Sequence, residues 1–170
     1  MSEPLECTVC SESHDWPTLF HHVPLPRAAV DVPERSRASR VQVDAERGHV
    51  VIDSRLAFLQ CELEIPIRDS ERSVMFKTWV QVAMTQARWL ADRWRSRLPQ
   101  ELPPIPAALT EMIPGYSDTR GIRVLLDAPS SEIRPKIQVL ENPSPLYRDQ
   151  RRGLTTSRLR EIASHIHHAR

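Results

Sequence analysis

Residues 57–67 read Ala-Phe-Leu-Gln-Cys-Glu-Leu-Glu-Ile-Pro-Ile, and residues 74–82 read Val-Met-Phe-Lys-Thr-Trp-Val-Gln-Val. In the first stretch an apolar side chain stands at every second position from Leu59 to Ile65. In the second stretch the same alternation runs from Val74 to Val82. A period of two places alternate side chains on opposite faces of a β-strand. The two stretches therefore predict neighbouring antiparallel strands with one buried face.

The segments around these two strands extend the β pattern. Upstream, residues 41–44 and 50–52 alternate around a turn that contains Gly48, which is typical of a hairpin with a left-handed turn residue. Downstream, residues 121–127 and 133–140 show the same period. We therefore expect an antiparallel sheet of about five to six strands.

Helical patterns follow the strands. Apolar residues in 85–98 recur at helical spacing, and Pro99 ends the pattern. Shorter helices are predicted at 145–151 and 156–168. On these grounds we expect Trp79 and Trp94 to be core residues rather than a binding surface, although Lys77 and Gln81 share a face with Trp79 and suggest that it is partly exposed. The predicted fold class is α+β, with helices packed on one face of the sheet.

Length and composition limit the class of protein. The chain has 170 residues, of which 40% are hydrophobic and 26% are charged, and this is ordinary for one globular domain. We expect a single domain over 1–170, divided into an N-terminal knuckle at 1–20, an extended connector at 21–39 with at most a short helix near Pro33, and an α+β body at 40–170. Only 4 glycines are present, which argues against a glycine-rich phosphate loop.

The sequence also indicates a compartment. No apolar run reaches the roughly 20 residues of a membrane helix, so no membrane association is expected. The first residues, Met-Ser-Glu-Pro-Leu-Glu, lack the apolar stretch of a secretory signal. We therefore expect a cytoplasmic protein. In that compartment, closely spaced cysteines hold metal more often than they form a disulfide.

The sharpest chemical motif is Cys7-x2-Cys10-x3-His14. Two thiolates three residues apart and a nearby imidazole suit the tetrahedral sulfur and nitrogen coordination of zinc. We therefore predict an N-terminal Cys/His zinc knuckle with a structural Zn²⁺. A redox-active cysteine pair and two unliganded thiols are the alternatives.

The fourth ligand of the predicted zinc ion has three candidates. His49 stands at the start of a hairpin strand, off the face of Val50 and Ile52, and is the favoured protein ligand. Cys61 is the next, although it falls on an apolar face where a cysteine is usually plain core. A water molecule is the third. An open zinc lowers the pKa of bound water, so a small zinc-dependent hydrolase is an alternative function.

The C-terminal part of the chain is basic, although the net charge of the whole chain is only +1. Residues 147–170 contain six arginines against two acidic residues. Such a segment can bind phosphates, but no aromatic residues are interleaved as a stacking surface for bases requires. Nucleic acid is therefore not an expected partner, and weak nucleic-acid binding through the arginine-rich helices is kept as an alternative.

The chain resembles the bacterial domain of unknown function 2199 family over nearly its whole length. The resemblance is carried, in order, by Cys7-x2-Cys10, His14-Asp15, Pro17, Leu63-Glu64-Ile65-Pro66-Ile67, Trp79-Val80, Trp94, Pro114-Gly115-Tyr116-Ser117-Asp118-Thr119, Arg134-Pro135, Pro145-Leu146 and Asp149-Gln150-x2-Gly153-Leu154. The resemblance implies a small bacterial protein with no established activity.

Polar residues in the segments that carry the resemblance form a candidate ligand site. They are Tyr116, Asp118, Thr119, Arg134 and Gln150. Binding residues often collect in loops held by a rigid sheet, and an arginine fork suits a carboxylate or phosphate. The alternative is that Asp118 caps its own turn and Arg134 pairs on the surface. We predict no catalytic residues, and expect a metal-stabilised binding or interaction module whose partner is a protein or a small molecule.

Overall fold

The computed structural model describes residues 5–6, 13–14, 20–96, 103–128 and 134–168. In chain order the elements are β1 (Leu5–Glu6), β2 (Ser13–His14), β3 (Phe20–His22), α1 (Arg27–Val30), α2 (Glu34–Arg40), β4 (Val41–Asp44), β5 (His49–Ile52), β6 (Leu56–Pro66), β7 (Ser73–Val82), α3 (Met84–Ser96), β8 (Ile105–Leu109), β9 (Arg123–Asp127), β10 (Lys136–Val139), α4 (Pro145–Arg152) and α5 (Thr156–His168).

Strands β6 to β10 form a closed five-stranded barrel. Each of these strands pairs antiparallel with the next one in the chain, and β10 returns to pair with β6. In an up-and-down meander with an odd number of strands, the first and last run in the same direction. The closing pair β10–β6 is accordingly parallel, with Lys136 opposite Glu62.

The length of β6 and β7 allows the closure. One edge of β6 pairs with β7 from Ala57 to Pro66. Its other edge is divided: the part from Leu56 to Leu59 pairs with β5, and Glu62 pairs with β10. In the same way β7 shares its second edge between β3 and β8. The remaining strands β3, β4 and β5 therefore extend the sheet outside the barrel.

The predicted fold class was wrong in its architecture. Strand alternation was read correctly, but alternation does not show whether the terminal strands pair, and here they close the sheet. The helices also do not cover one face. Buried side chains of α3, α4 and α5 join the core of the barrel, whereas α1 contributes Ala29 to a second core.

The first core fills the barrel. Inward residues of β6 and β7, such as Leu59, Leu63 and Phe76, are fully buried there. Leu159 and Ile162 of α5 belong to the same cluster and are also fully buried. Burying a large aliphatic or aromatic side chain contributes about 1.5–3 kcal/mol, so this cluster is the main stabilising feature of the fold.

The second core lies on the outer face of β6 and β7. Phe58 and Trp79 point away from the barrel interior and pack with Val50, Ile52 and neighbouring apolar residues. Trp79 is only 2% exposed, and its indole Nε1 donates to the carbonyl of Val23 at 2.8 Å. The prediction that Trp79 is a core residue is therefore confirmed, and its neighbours Lys77 and Gln81 do not expose it. Trp94 of α3 is only partly buried.

The segment 21–39 contains the short helix allowed near Pro33 and further structure that was not predicted. The segment contains the end of β3, all of α1 and most of α2. Apolar residues of this segment pack in the second core, on the outer face of β6 and β7. Prolines that suggested an extended chain stand instead at the first turns of the short helices, where Pro26 and Pro33 are the N-cap residues. Proline is tolerated there because its missing N–H needs no partner.

Most of the other predicted elements are confirmed within one to three residues, including the β4–β5 hairpin and all three predicted helices. Strand β8 was not predicted, because Pro103, Pro104 and Pro106 argue against a strand. Pro106 is accommodated where β8 pairs with β9 alone, since the pairing with β7 begins only at Ala108.

The β4–β5 hairpin depends on Gly48. Its φ of +60° is the left-handed value that the sequence predicted. A Cβ atom at this position would lie 2.8 Å from the Cβ of Gln60, so the glycine also allows the hairpin to approach β6. Its carbonyl accepts from the Gln60 N–H at 2.7 Å, which continues the β5–β6 pairing.

Two further predictions concern the N-terminus and the membrane. Within the described residues, no group of three or more His, Cys, Asp or Glu side chains is placed to hold a metal ion, so the zinc knuckle that formed part of the fold prediction is not seen there. In the same part of the chain, no helix combines the length and the apolar character needed to cross a membrane.

Candidate functional site

The predicted metal ligands are only partly described. Cys7, Cys10 and the side chain of His14 lie outside the described residues. Cys61 is fully buried in the barrel core, and burial raises the pKa of its thiol, which opposes formation of the thiolate that binds metals. Its Sγ lies 3.7 Å from the Leu59 carbonyl. The structure thus describes Cys61 as a core residue.

His49 lines a cleft between the β4–β5 hairpin and α3, which we call the hairpin cleft. It has a volume of about 620 Å³. Asp44 and His49 are opposite one another in the β4–β5 pair, so their side chains share the face of the hairpin that turns away from Val50 and Ile52. The other wall comes from one face of α3, through Met84, Ala87, Arg88, Ala91 and Asp92.

The local sequence explains why this space stays open. The residues of α3 that line the cleft recur at intervals of three and four, so they form one helix face. Two of them, Ala87 and Ala91, have only a methyl group as side chain. Together with Met84 and Val51 they give the cleft an apolar floor.

One residue that lines this cleft has a buried polar atom. Nε2 of His49 is shielded from solvent and has no hydrogen-bond partner among the described residues. Burial lowers the pKa of His49, and the nearby carboxylate of Asp44 opposes that shift. A buried polar group without a partner costs free energy, and a bound molecule that supplies a hydrogen bond removes this cost.

Charges at the rim of the hairpin cleft are balanced. Arg47 Nη1 lies 3.0 Å from Asp44 Oδ2, and the Arg47 backbone N–H donates to Asp44 Oδ1 at 3.1 Å. These contacts hold the pKa of Asp44 below its ordinary value. Arg88 and Asp92 add one charge of each sign from α3. The cleft therefore carries no net charge from its lining residues.

Three of the predicted ligand residues lie in one turn but have separate roles. Thr119 is buried, and its Oγ1 donates to the Glu111 carbonyl at 2.7 Å and accepts from the Ile113 N–H at 2.9 Å. Asp118 is exposed and pairs with Arg120, which lowers the pKa of Asp118. Thr119 thus stabilises the turn, and Asp118 forms a surface ion pair.

Tyr116 is buried beneath Arg158. The guanidinium of Arg158 lies 4.8 Å from the centre of the tyrosine ring, which is a cation–π distance. The Tyr116 hydroxyl has no hydrogen-bond partner among the described residues. Burial raises the pKa of Tyr116, and the negative charge of Asp149 raises it further.

Arg134 and Gln150 bind to strands of the barrel. Arg134 Nε donates to Gln60 Oε1 at 3.1 Å. Gln150 accepts from the Val139 N–H at 2.8 Å and donates to the Ile137 carbonyl at 2.7 Å. No hydrogen bond or ion pair joins any two of the five predicted ligand residues, all of which the structure describes. A shared ligand site at these residues stays a prediction.

A second cleft lies beside the turn that holds Tyr116. It has a volume of about 530 Å³ and is lined by four arginines, namely Arg68, Arg148, Arg152 and Arg158. The basic C-terminal segment pointed to three of them. Arg68 lies far away in the sequence and only the fold brings it to this place. We call this space the arginine cleft.

The fold is that of a small α+β barrel protein. It consists of a closed five-stranded barrel, a hairpin that extends the sheet outside the barrel, and helices that pack on both. The chain belongs to a family of uncharacterised proteins conserved in bacteria, DUF2199, whose profile matches residues 6–154. This match confirms the resemblance that the sequence motifs showed. No curated protein matches the chain, and no solved structure matches it.

Proposed function

We propose that this protein is a binding module whose hairpin cleft takes a small organic molecule without net charge. The observation that carries the proposal is a cleft of about 620 Å³ lined by His49, a residue whose buried Nε2 has no partner among the described residues. Clefts for small molecules commonly have volumes of about 300–1,000 Å³, with an apolar lining and a few polar groups that orient the ligand.

The balance of charges supports the class of ligand. The two positive and two negative side chains of the lining compensate each other, so a strongly charged molecule gains little from this cleft. The apolar floor at Met84, Ala87 and Ala91 favours a compact apolar group. The imidazole of His49 then forms a hydrogen bond with a polar group attached to it.

Benzamide is a suitable probe, because it joins an apolar ring to a neutral amide that both donates and accepts. In a titration followed by ¹H–¹³C NMR, the Cε1–H resonance of His49 is expected to shift in a saturable way. The resonance of His165, which is exposed on α5, serves as the internal reference. His49→Gln identifies the resonance.

A pair of matched variants tests the location. Ala91→Leu fills the floor of the cleft and is expected to weaken benzamide binding. Ala38→Leu makes the same change on exposed α2, away from the cleft, and is expected to leave binding unchanged. The proposal fails if the His49 resonance does not respond to benzamide, or if both variants bind as the wild type does.

Zinc binding through Cys7, Cys10 and His14 is a further part of the proposal, and its support is the spacing of these residues. Since His49 is the favoured fourth ligand from sequence, the zinc content of His49→Gln separates its two possible roles. Unchanged zinc content is expected if His49 serves the hairpin cleft. Loss of zinc from this variant identifies His49 as a metal ligand and contradicts its assignment to the cleft.

A further inference from the structure

We infer that the arginine cleft is a second binding site, which takes a small molecule bearing a phosphate group. This site shares no lining residue with the hairpin cleft, so the inference stands apart from the proposed function. It rests on the way the fold gathers four arginines and leaves three of them without ion-pair partners among the described residues.

Two segments distant in sequence meet at this cleft. Residues 67 and 154 form a parallel bridge, and the Arg68 N–H donates to the Leu154 carbonyl at 3.0 Å. Arg68 Nε donates to the carbonyls of Arg152 and Gly153, at 3.1 and 3.0 Å, at the end of α4. These contacts fix the base of the Arg68 guanidinium beside α4.

Gly153 makes this approach possible. It has a φ of +78°, and a Cβ atom there would lie 3.1 Å from Arg68 Cγ and 3.2 Å from Arg68 N. A larger residue would therefore push Arg68 away from α4. A glycine with positive φ thus ends α4 and leaves space for the Arg68 side chain to pack closely against it.

The two acidic groups of the cleft are already engaged. Arg158 Nε lies 3.2 Å from Asp149 Oδ2, and Arg158 Nη1 lies 2.6 Å from Glu161 Oε2. Arg158 also donates to the Gly115 carbonyl. These contacts hold Arg158 in one wall of the arginine cleft, and both carboxylates of the lining, those of Asp149 and Glu161, are paired with it.

The other three arginines remain available. Arg68, Arg148 and Arg152 are exposed, and none of them forms an ion pair with another described residue. Arg148 and Arg152 are four residues apart on α4 and therefore point to the same side of the helix. With four arginines and two carboxylates in the lining, two positive charges are uncompensated.

This charge balance favours a phosphate ester. A phosphate monoester carries a charge of about −1.5 to −2 near pH 7 and offers three acceptor oxygens, whereas a carboxylate carries only one negative charge. Guanidinium groups bind such oxygens through two parallel hydrogen bonds. Among the described residues, the lining contains no aromatic side chain on which a nucleic-acid base would stack, so a small phosphorylated molecule fits better than a nucleic-acid strand.

Inorganic phosphate is the probe, and its binding to the whole protein is measured by calorimetry at constant ionic strength. Arg148→Gln combined with Arg152→Gln removes two lining charges. Arg151→Gln combined with Arg160→Gln removes two exposed charges outside the cleft, one from α4 and one from α5. Because the first double variant removes two guanidinium groups that can donate charge-assisted hydrogen bonds to phosphate, it is expected to weaken binding by at least about tenfold.

The control double variant is expected to bind phosphate within about twofold of the wild type, and circular dichroism shows whether both variants are folded. Absence of phosphate binding by the wild type overturns the inference. So does an equal loss in both double variants, which indicates general charge attraction. Displacement of phosphate by single-stranded oligonucleotide, with equal effect of both double variants on oligonucleotide binding, identifies a nucleic-acid surface and also overturns it.

Discussion

Gln150 closes the barrel at the place where its strands stop pairing, and its removal is expected to lower stability strongly. Within the part of the chain that the structure describes, β10 and β6 pair at Lys136 opposite Glu62 alone, and the Glu62 N–H donates to the Pro135 carbonyl at 2.9 Å. Beyond that point the Gln150 amide joins Val139 and Ile137 of β10, and it lies 3.3 Å from the Glu64 carbonyl of β6.

The cost of Gln150→Ala follows from these bonds. Two of them, at 2.8 and 2.7 Å, involve backbone groups of residues that are 3% and 4% exposed. A hydrogen bond contributes about 0.5–1.5 kcal/mol net, and a buried group left without a partner costs about 1–3 kcal/mol. We expect a loss of about 2–4 kcal/mol in the free energy of unfolding. For a chain of this length that lowers Tm by roughly 5–15 °C.

Urea denaturation measures the change, and Gln138→Ala is the matched control. Gln138 lies on β10 as well, but its side chain is exposed and forms no hydrogen bond with another described residue. Its replacement is expected to change stability by less than about 0.5 kcal/mol. If Gln150→Ala and Gln138→Ala cost the same, the closing role of Gln150 is refuted.

Gln150→Glu tests the same bonds with a side chain of nearly the same shape. The introduced carboxylate still accepts from Val139 but faces the Ile137 carbonyl without a proton to donate, so at neutral pH we expect a loss at least as large as for alanine. Repulsion by that carbonyl raises the folded-state pKa of the introduced carboxyl group above its unfolded value of about 4.3. The lost stability should therefore return as the pH falls through the raised pKa. A deficit that does not depend on pH contradicts this account.

Three other predictions concern the cores, the buried tyrosine and the metal. Trp79→Ala is expected to cost about 3–5 kcal/mol in urea denaturation, and Trp94→Ala less, because only Trp79 is fully enclosed; equal costs contradict this order. Tyr116→Phe removes a buried hydroxyl without a described partner, so its effect at pH 7 should be below about 1 kcal/mol. Since the pKa of Tyr116 is raised on folding, wild-type stability should fall as the pH rises above about 10, and Tyr116→Phe should lose less, as judged by circular dichroism. Elemental analysis of protein purified under reducing conditions is expected to find about one zinc per chain, with loss in Cys10→Ser; absence of zinc from the wild type refutes the metal prediction.

The strands and helices were predictable because their periodicity is local. The alternation from Leu59 to Ile65 and the helical spacing of residues 85–98 each report which face of one element is buried. Closure of the barrel is not local. The closure pairs Glu62 with Lys136, which lies 74 positions later in the chain. Neither segment has a local sequence feature that identifies the other as its pairing partner.

The same limit explains what was missed at the two clefts. The basic C-terminal segment was visible as a run of arginines, but Arg68 reaches it only through the bridge between residues 67 and 154. His49 was noted from its position off the apolar face of its strand. The wall of the hairpin cleft that faces His49 is formed by α3. Its position depends on how α3 packs against the hairpin, and sequence periodicity does not predict that packing.

Closure of the barrel and formation of the hairpin cleft are consequences of one long strand. Because β10 occupies β6 only at Glu62, the part of β6 from Leu56 to Leu59 remains free to pair with β5. The β4–β5 hairpin is therefore carried outside the barrel, where one face packs on the second core and the other faces α3. Because β10 runs parallel to β6, its residues after Lys136 continue toward Pro66, where the side chain of Gln150 joins the two strands. Only an extension of β10 before Lys136 would compete with β5 for the edge of β6 at Leu56 to Leu59. The start of β10 at Lys136 thus leaves β5 in place, and with it the cleft in which we propose that a ligand binds.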